Sequence, residues 1–335
     1  MIPAPLDGHG LEGHVLTGKF PMRVVVTGAG GFIGSRLCAF LRSMGDDVTE
    51  VDLPYCDISD RARLARVLAD ADPDHIYHLA AQASIGRSWQ DPAHTWHTNA
   101  QGTVSLLRTV RFVCPTATTL VMSSASVFDG ARMDVPINEN RTPAPLSPYA
   151  ASKLAVEAAA RHYLAAYNLP VVVVRPFNVI GPAQSADYLV PSLSRRIASA
   201  ARSGQKWITV GNLAARRDFL DVRDAVRGLR LLMTDGQPGE VYNLCTGIGV
   251  PVRTLVQTMI SLAGGSLEYR QDPTLVRGTD AQNVVGDPGK TWARTGWRPV
   301  LPLATSLADV LAEARAAESI GRGLSVTASG DAPPT

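Results

Sequence analysis

The sequence predicts an α/β fold: a parallel sheet covered by helices on both faces, followed by a smaller, mostly helical C-terminal portion. Three observations point to it. Short runs such as Arg23–Thr27 (RVVVT) and Pro170–Arg175 (PVVVVR) are apolar nearly throughout rather than alternating, as strands buried on both faces are. Longer segments with apolar residues every three or four positions separate these runs. The first run also opens directly into a glycine-rich turn, Gly28-Ala29-Gly30-Gly31-Phe32-Ile33-Gly34.

The elements follow in chain order. After Arg23–Thr27, the stretch from Phe32 to Met44 sets Ile33, Leu37, Leu41 and Met44 on one helical face. Strands are predicted at Asp47–Leu53, His75–Ala80, Thr118–Ser123 and Pro170–Arg175, with helices over 60–70, 92–113 and 148–168 between them. Beyond Gly181-Pro182 the pattern changes. Helices over 188–203, 222–233, 251–264 and 303–318 dominate, with only short strands near 207–210 and 241–244. The alternation assigns residues 22–180 to a dinucleotide-binding domain, with 216–250 returning to it, and 181–215 and 251–320 to a substrate-binding domain. Residues 1–21 read as a flexible leader rich in Gly and Pro, with Met22 an alternative start. The small, polar segment 321–335 reads as a disordered tail.

Composition excludes several classes of function. The chain has 335 residues, 45% hydrophobic and 19% charged, with a formal net charge of +2. No dense Lys/Arg block is present, so nucleic acid is not expected as a partner. No apolar run reaches membrane-spanning length, and the leader lacks the charged start and apolar middle of a signal peptide. Cys38, Cys56, Cys114 and Cys245 are scattered, which fits reduced thiols in a cytoplasmic protein better than a zinc site or a disulfide framework. His75/His78 and His94/His97 lack a third ligand, so no metal is expected. Trp292 and Trp297 read as packing residues, and Asp218 and Asp221 as turn braces.

The glycine turn carries the first chemistry. Gly28, Gly31 and Gly34 fit the spacing G-x-x-G-x-x-G between a strand and a helix. That is the setting of a Rossmann-type, doubly wound sheet: the glycines allow a tight turn and close backbone approach, and the helix N-terminus receives a pyrophosphate. Asp52, at the end of the second predicted strand, suits the adenine ribose hydroxyls and repels a 2′-phosphate. Leu53-Pro54-Tyr55 rather than an arginine follows it. This favours NAD(H) over NADP(H).

The second chemistry lies at Tyr149-Ala-Ala-Ser-Lys153, behind Pro148 at a helix start. Spacing of four residues places the phenol and the ammonium on one helical face. A neighbouring ammonium favours the tyrosinate, and a phenol so tuned serves as a general acid or base. One strand ending at Ser123-Ser124 precedes this helix. Another, ending at Arg175-Pro176-Phe177-Asn178, follows it. In an open parallel sheet such strand ends converge on the ligand crevice.

With these pieces in place, the chain resembles the extended short-chain dehydrogenases/reductases, the nucleotide-sugar epimerase/dehydratase/reductase superfamily. The matching segments are VTGAGGFIG, HLAAQ, NAQGT, SSASV, SPYAASKLAVE, RPFNVIGP and RRDFLDVRD. RPFNVIGPAQ, RRDFLDVRD, GEVYNLCTG and QDPTLVR look most like the GDP-4-keto-6-deoxymannose reductases, and DHIYHLAAQASIGRSWQDP is similar to GDP-mannose dehydratases. The resemblance implies a catalytic group of Ser124, Tyr149 and Lys153, with Ser124 bonding the reacting oxygen and Lys153 also holding the nicotinamide ribose. It implies cofactor contacts from Phe32, Ile33, Leu53, Asp57, Ile58, Leu79, Ala80, Ala81, Gln82, Asn99 and Pro176. Ser84, Ser124, Ser126 and Asn178 would face the nucleotide sugar, and Arg217 and Arg277 its pyrophosphate, a task suited to bidentate guanidinium groups. It implies a homodimer formed through the helices near 92–113 and 148–168.

The reaction the resemblance implies is hydride transfer from a nicotinamide to a GDP-linked 4-keto-6-deoxy sugar, with Tyr149 donating the proton. The rivals are a 4-epimerase with tightly held NAD and a non-catalytic dinucleotide sensor; the intact Ser124, Tyr149 and Lys153 set argues against the sensor. Two departures from the family pattern matter. Phe128-Asp129-Gly130 replaces a usual Tyr-Gly, and Ser124-Ala125-Ser126-Val127 lacks the acidic residue that related 4,6-dehydratases carry after the catalytic Ser/Thr. Eliminating water needs an acid/base at the sugar carbons. GDP-mannose or dTDP-glucose incubated with the protein should therefore show no mass loss of one water; a 4-keto-6-deoxy product would overturn that expectation.

Overall fold

Val24, Val25 and Val26 are all at most 1% exposed, which only a strand at the centre of a doubly covered sheet achieves. The structure, a computed structural model, describes residues 21–128, 136–275 and 283–326, with the backbone alone at 320–326. The leader up to residue 20, Asp129-Gly130, Arg277 and the chain beyond 326 lie outside the described residues.

The first half alternates strand and helix. β1 (Arg23–Thr27) leads through the glycine turn to α1 (Phe32–Ser43), then β2 (Asp47–Val51), α2 (Arg61–Ala71) and β3 (His75–His78). α3 (Ile85–Gln90) and α4 (Pro92–Trp96) follow, and a π-helical turn, His97–Gln101, joins α4 to α5 (Gly102–Val113). β4 (Thr118–Met122) runs into a 3₁₀ turn, Ala125–Phe128. Next come α6 (Pro148–Tyr167), whose first turn is capped by Ser147, and β5 (Val171–Pro176). The remainder comprises β6 (Asn178–Ile180), α7 (Leu189–Ser203), β7 (Trp207–Val210), β8 (Arg216–Asp221) and α8 (Val222–Asp235). It continues with β9 (Val241–Leu244), β10 (Gly249–Pro251), α9 (Val252–Leu262) and β11 (Glu268–Gln271). β12 (Asn283–Val284), α10 (Gly289–Thr295) and α11 (Leu303–Val326) complete the described chain.

The central sheet has the order β2-β1-β3-β4-β5-β9, and every pairing in it is parallel. Winding reverses between β1 and β3, so the carboxyl ends of those strands flank the crevice where such sheets take ligands. One face packs Leu37, Leu41, Leu229 and Leu232 from α1 and α8. The other packs Leu64, Leu68, Leu106, Leu107 and Val156 from α2, α5 and α6. Buried within it, His78 bridges Thr27 Oγ1 at 2.8 Å and Thr103 Oγ1 at 2.9 Å. Burial depresses its pKa to about 3, so the imidazole is neutral and tied to two hydroxyls rather than available to a metal.

A third core, of Leu193, Ile197, Phe219, Leu255, Met259 and Leu311, lies under α7, α9 and α11. The C-terminal portion holds more strand than its sequence displays. β8 forms a second sheet with β10 and β12 and also pairs with β6, and β7 pairs with β11. These strands are short and their partners distant in sequence, so no local periodicity reveals them. Within 216–250, β8 lies in that second sheet, whereas α8 and β9 pack on and extend the central one. The single helix expected over 92–113 is interrupted at His97–Gln101, and α11 runs past Gly321, where an unstructured tail was expected to begin.

A Cβ at Gly34 would lie 2.0 Å from the Gly28 carbonyl oxygen, a distance only a shift of the turn can relieve. Gly34→Ala should lower stability by about 1–3 kcal/mol, as overpacking does, and abolish NADH binding while far-ultraviolet circular dichroism is retained. Unchanged NADH titration in the variant would show that the turn tolerates the shift.

Candidate active site

The turn after β1 is shaped by its neighbours. Gly28 has φ +71°, and a Cβ there would meet the Ala80 backbone nitrogen at 2.6 Å, so β3's outgoing chain presses directly on the turn. No side chain caps α1 and no acidic residue occupies its first turn. The backbone around Phe32 and Ile33 therefore offers a helix N-terminus to an anion. Asp52 closes the outer side of the turn: Oδ2 accepts the Gly30 N–H at 2.6 Å and Oδ1 the Leu53 N–H at 2.8 Å. Leu53 is exposed beside it. Asp57 accepts the Ser59 N–H, which holds its carboxyl below the usual range. Ile58 is buried against Gly102, where an added Cβ would approach its Cδ1.

Leu79 and Ala80 leave β3 bonded to Thr27. The next residues are fastened by Asn99 on the π-helical turn. Its Oδ1 accepts the Gln82 N–H at 2.8 Å, and its Nδ2 donates to Gln82 O at 3.0 Å and to Ser152 Oγ at 2.9 Å. One amide thus ties the loop Leu79–Gln82 to α6. The widened π turn is what lets Asn99 face that loop; such turns recur at functional sites. The glycine turn, Asp52 and the Leu79–Gln82 loop together form a cradle at the switch point that fits a dinucleotide.

Ser124, Tyr149 and Lys153 gather at the carboxyl end of β4, and all three are buried. Pro148 and the Ser147 cap set the helix start that carries Tyr149. Lys153 Nζ donates to Met122 O at 2.8 Å and lies 6.0 Å from the Tyr149 ring centroid. Ser124 Oγ accepts the Ser126 N–H at 3.1 Å. Pro176 ends β5 nearby in the same row of strand ends. Burial pushes the Lys153 ammonium down to about 8. The position after Ser124 is the buried Ala125, so no carboxylate reaches the site from there.

On the far side, Ser84 caps α3, and its N–H donates to Gln82 Oε1 at 2.6 Å. Asn178 Nδ2 donates to Asp218 O at 2.9 Å. Arg217 is half-buried on β8, and Arg277 lies outside the described residues. Asp218 is a brace: its carboxylate accepts the Thr246 hydroxyl and the Thr246 and Gly247 N–H groups, while burial raises its pKa. Asp221 caps α8 through the Arg223 N–H. Arg87 pairs with Asp187 at 3.1 Å, and the Tyr188 hydroxyl donates to Ala83 O, which joins the two sides across the crevice. Sequence reasoning did not single out Glu157 and Arg175, fully buried beneath α6. The signal was an arginine inside an otherwise apolar strand run.

Among the described residues no group of three His, Cys, Asp or Glu is placed to hold a metal ion, and no helix is long and apolar enough to cross a membrane. A doubly wound sheet with a glycine turn at its switch point and a Tyr-x-x-x-Lys helix at its strand ends defines the class: a nicotinamide-dependent enzyme of the extended short-chain dehydrogenase/reductase type. Within that class the chain belongs to the GDP-mannose 4,6 dehydratase family, whose pattern matches residues 47–310. It is 33% identical over 294 residues to a GDP-6-deoxy-D-mannose reductase of Pseudomonas aeruginosa, covering 87% of this chain and 96% of that protein. Among solved structures, RMD from Pseudomonas aeruginosa complexed with NADPH superposes with a TM-score of 0.81 at 32% identity, covering 88% of this chain and 99% of the other. A Thermus thermophilus UDP-glucose 4-epimerase complexed with NAD gives a TM-score of 0.79 at 28% identity, covering 88% of this chain and 100% of the other.

Lys153 should also register in stability. Its folded-state pKa of about 8 lies below the ordinary 10.5. Below about 8 both folded and unfolded chains are protonated, and folding carries the whole cost of burying the charge. Between about 8 and 10.5 the unfolded chain binds the proton more tightly, so stability rises with pH across that window. Lys153→Met should raise Tm at neutral pH, with a gain that shrinks as pH rises above 8; calorimetry of both proteins across that range checks it.

Proposed function

We propose that the protein reduces the 4-keto group of a GDP-linked 4-keto-6-deoxy sugar. The single observation behind this reading is the Ser124, Tyr149 and Lys153 group at the end of β4 without a carboxylate at 125–126, in a chain similar along its length to a GDP-6-deoxy-D-mannose reductase. Bound dihydronicotinamide supplies a hydride. Tyr149 Oη delivers a proton to the carbonyl oxygen as it becomes a hydroxyl, and Ser124 Oγ donates a hydrogen bond to the same oxygen. The Lys153 ammonium favours the tyrosinate left behind and holds the nicotinamide ribose. Asn178, Ser84, Ser126, Arg217 and Arg277 contact the nucleotide sugar, the two arginines at its pyrophosphate.

The cofactor contacts are Gly28, Gly31, Phe32, Ile33 and Gly34 at the phosphates, Asp52, Leu53, Asp57 and Ile58 toward the adenosine, and Leu79–Gln82, Asn99 and Pro176 toward the nicotinamide. A carboxylate that already closes on the Gly30 N–H leaves a 2′-phosphate facing negative charge, which supports NADH over NADPH. Exposed Val104, Phe112 and Tyr167 on α5 and α6 support a homodimer through those helices, and four buried free thiols support a cytoplasmic setting. A 4-epimerase with retained NAD is the second reading, favoured by the fold likeness to the Thermus thermophilus enzyme.

Incubation with GDP-4-keto-6-deoxy-D-mannose and NADH should give a product heavier by two hydrogens. An isobaric product from UDP-glucose without added nucleotide would favour the epimerase instead. Tyr149→Phe should slow turnover by about 100–10,000-fold with cofactor binding intact, the usual worth of general acid–base catalysis. Asp52→Ala should narrow the difference in Kd between NADH and NADPH; a wild-type preference for NADPH would defeat the cofactor assignment.

A further inference from the structure

Ser123 and Ser124 leave β4 side by side, and only Ser124 has a part in the chemistry above. Ser123 is 2% exposed, and its hydroxyl donates to Glu157 Oε1 at 2.5 Å. Glu157 stands one turn beyond Lys153 on α6, with its side chain 1% exposed. Arg175 of β5 grips that carboxylate with two bonds, Nε to Oε1 at 2.8 Å and Nη2 to Oε2 at 2.7 Å. The same guanidinium donates to Glu139 O at 3.1 Å and lies 4.9 Å from the Phe128 ring centroid. One carboxylate therefore joins α6, the end of β4 and β5, and its arginine reaches the turn that follows Ser124.

Holding α6 on the sheet does not require charge. Apolar residues of similar volume do so as well, and a buried ion pair is weak evidence for stability. What the fork geometry adds is direction: it leaves Oε1 aimed at a single hydroxyl. Lys153 donates to Met122 O, so α6 is fastened to residues 122 and 123, the two immediately before Ser124. Tyr149 and Ser124 must meet one substrate oxygen, and these two side-chain links tie their elements together at that edge.

We propose that Glu157, oriented by Arg175, is a positioning residue that sets Ser124 Oγ relative to Tyr149 Oη through the Ser123 hydroxyl. The inference rests on the reductase reading, in which Ser124 and Tyr149 act on one oxygen.

Ser123→Ala removes one hydrogen bond and leaves the Glu157–Arg175 pair whole. With GDP-4-keto-6-deoxy-D-mannose and NADH, kcat should fall about tenfold or more while KM and the NADH Kd hold, because misplacing a reacting group acts on the transition state. Glu157→Gln should lower kcat at least as far; should that variant fail to fold, Ser123→Ala carries the test. In a Ser124→Ala background, Ser123→Ala should cost nothing further, since its effect passes through Ser124. Wild-type kcat in Ser123→Ala, or losses that multiply fully in the double variant, would overturn the proposal and leave the network merely structural. Wild type and Tyr149→Phe together separate the two readings. If wild type does not reduce the ketone, the reductase reading fails; if it does, and Tyr149→Phe is inactive while Ser123→Ala is unaffected, only the positioning role fails.

Discussion

Gly28 and Ala80 come from chain segments far apart in sequence, yet a single methyl group at Gly28 would lie 2.6 Å from the Ala80 nitrogen. This contact follows from the order of the sheet. β1 and β3 are neighbours, parallel and at the point where winding reverses, so their outgoing chains must pass each other at the same end. A glycine lets them pass at van der Waals distance and leaves a crevice lined by backbone. The glycine turn, Asp52, the Leu79–Gln82 loop and the Asn99 amide that fastens it all take their places from that crossing.

The same sheet explains where the charges lie. Strand ends are the only part of a doubly covered parallel sheet where polar side chains reach a crevice without crossing the core. Ser124, Lys153 and Arg175 lie at or beside such ends, and Asp218 reaches the turn after β9 from β8 of the second sheet. Each is buried, and each has defined oxygen or nitrogen partners: Ser126 for Ser124, Met122 for Lys153, Glu157 for Arg175, Thr246 and Gly247 for Asp218. Lys153 differs in kind from Arg175, because its hydrogen-bond partner is a neutral carbonyl rather than a carboxylate. An ammonium held this way is destabilising to the fold and available to the chemistry, the balance that active sites commonly strike.

The central-sheet layer and the α7, α9 and α11 layer meet through β6 and β8, whose Val179 and Leu220 pack in the core of the former and Ile180 and Phe219 in that of the latter. The principal apolar clusters of the central sheet and of the α7, α9 and α11 layer are separate. Polar links cross between them near the crevice: Arg87 to Asp187, Tyr188 to Ala83, and Arg36 to Pro182 O. Polar contacts of this kind hold the crevice walls in register while leaving its floor to the strand ends.

By itself the sequence determined the central strands, the helices that cover them, the glycine turn and the Ser124, Tyr149 and Lys153 group, because each depends on local pattern. Continuous β-branched runs, apolar spacing of three to four, and a four-residue step on one helix are all written along the chain. Tertiary structure alone decided the second sheet, whose members β6, β8, β10 and β12 are short and pair across long sequence distances. It alone decided the π turn at Asn99, which follows from bonds to Gln82 and Ser152, residues no local period relates to it. It alone joined Ser123, Glu157 and Arg175, since nothing in a chain announces which buried charge will meet which hydroxyl. Local periodicity reports which face of an element is buried; only the packing of one element on another reports what that face meets.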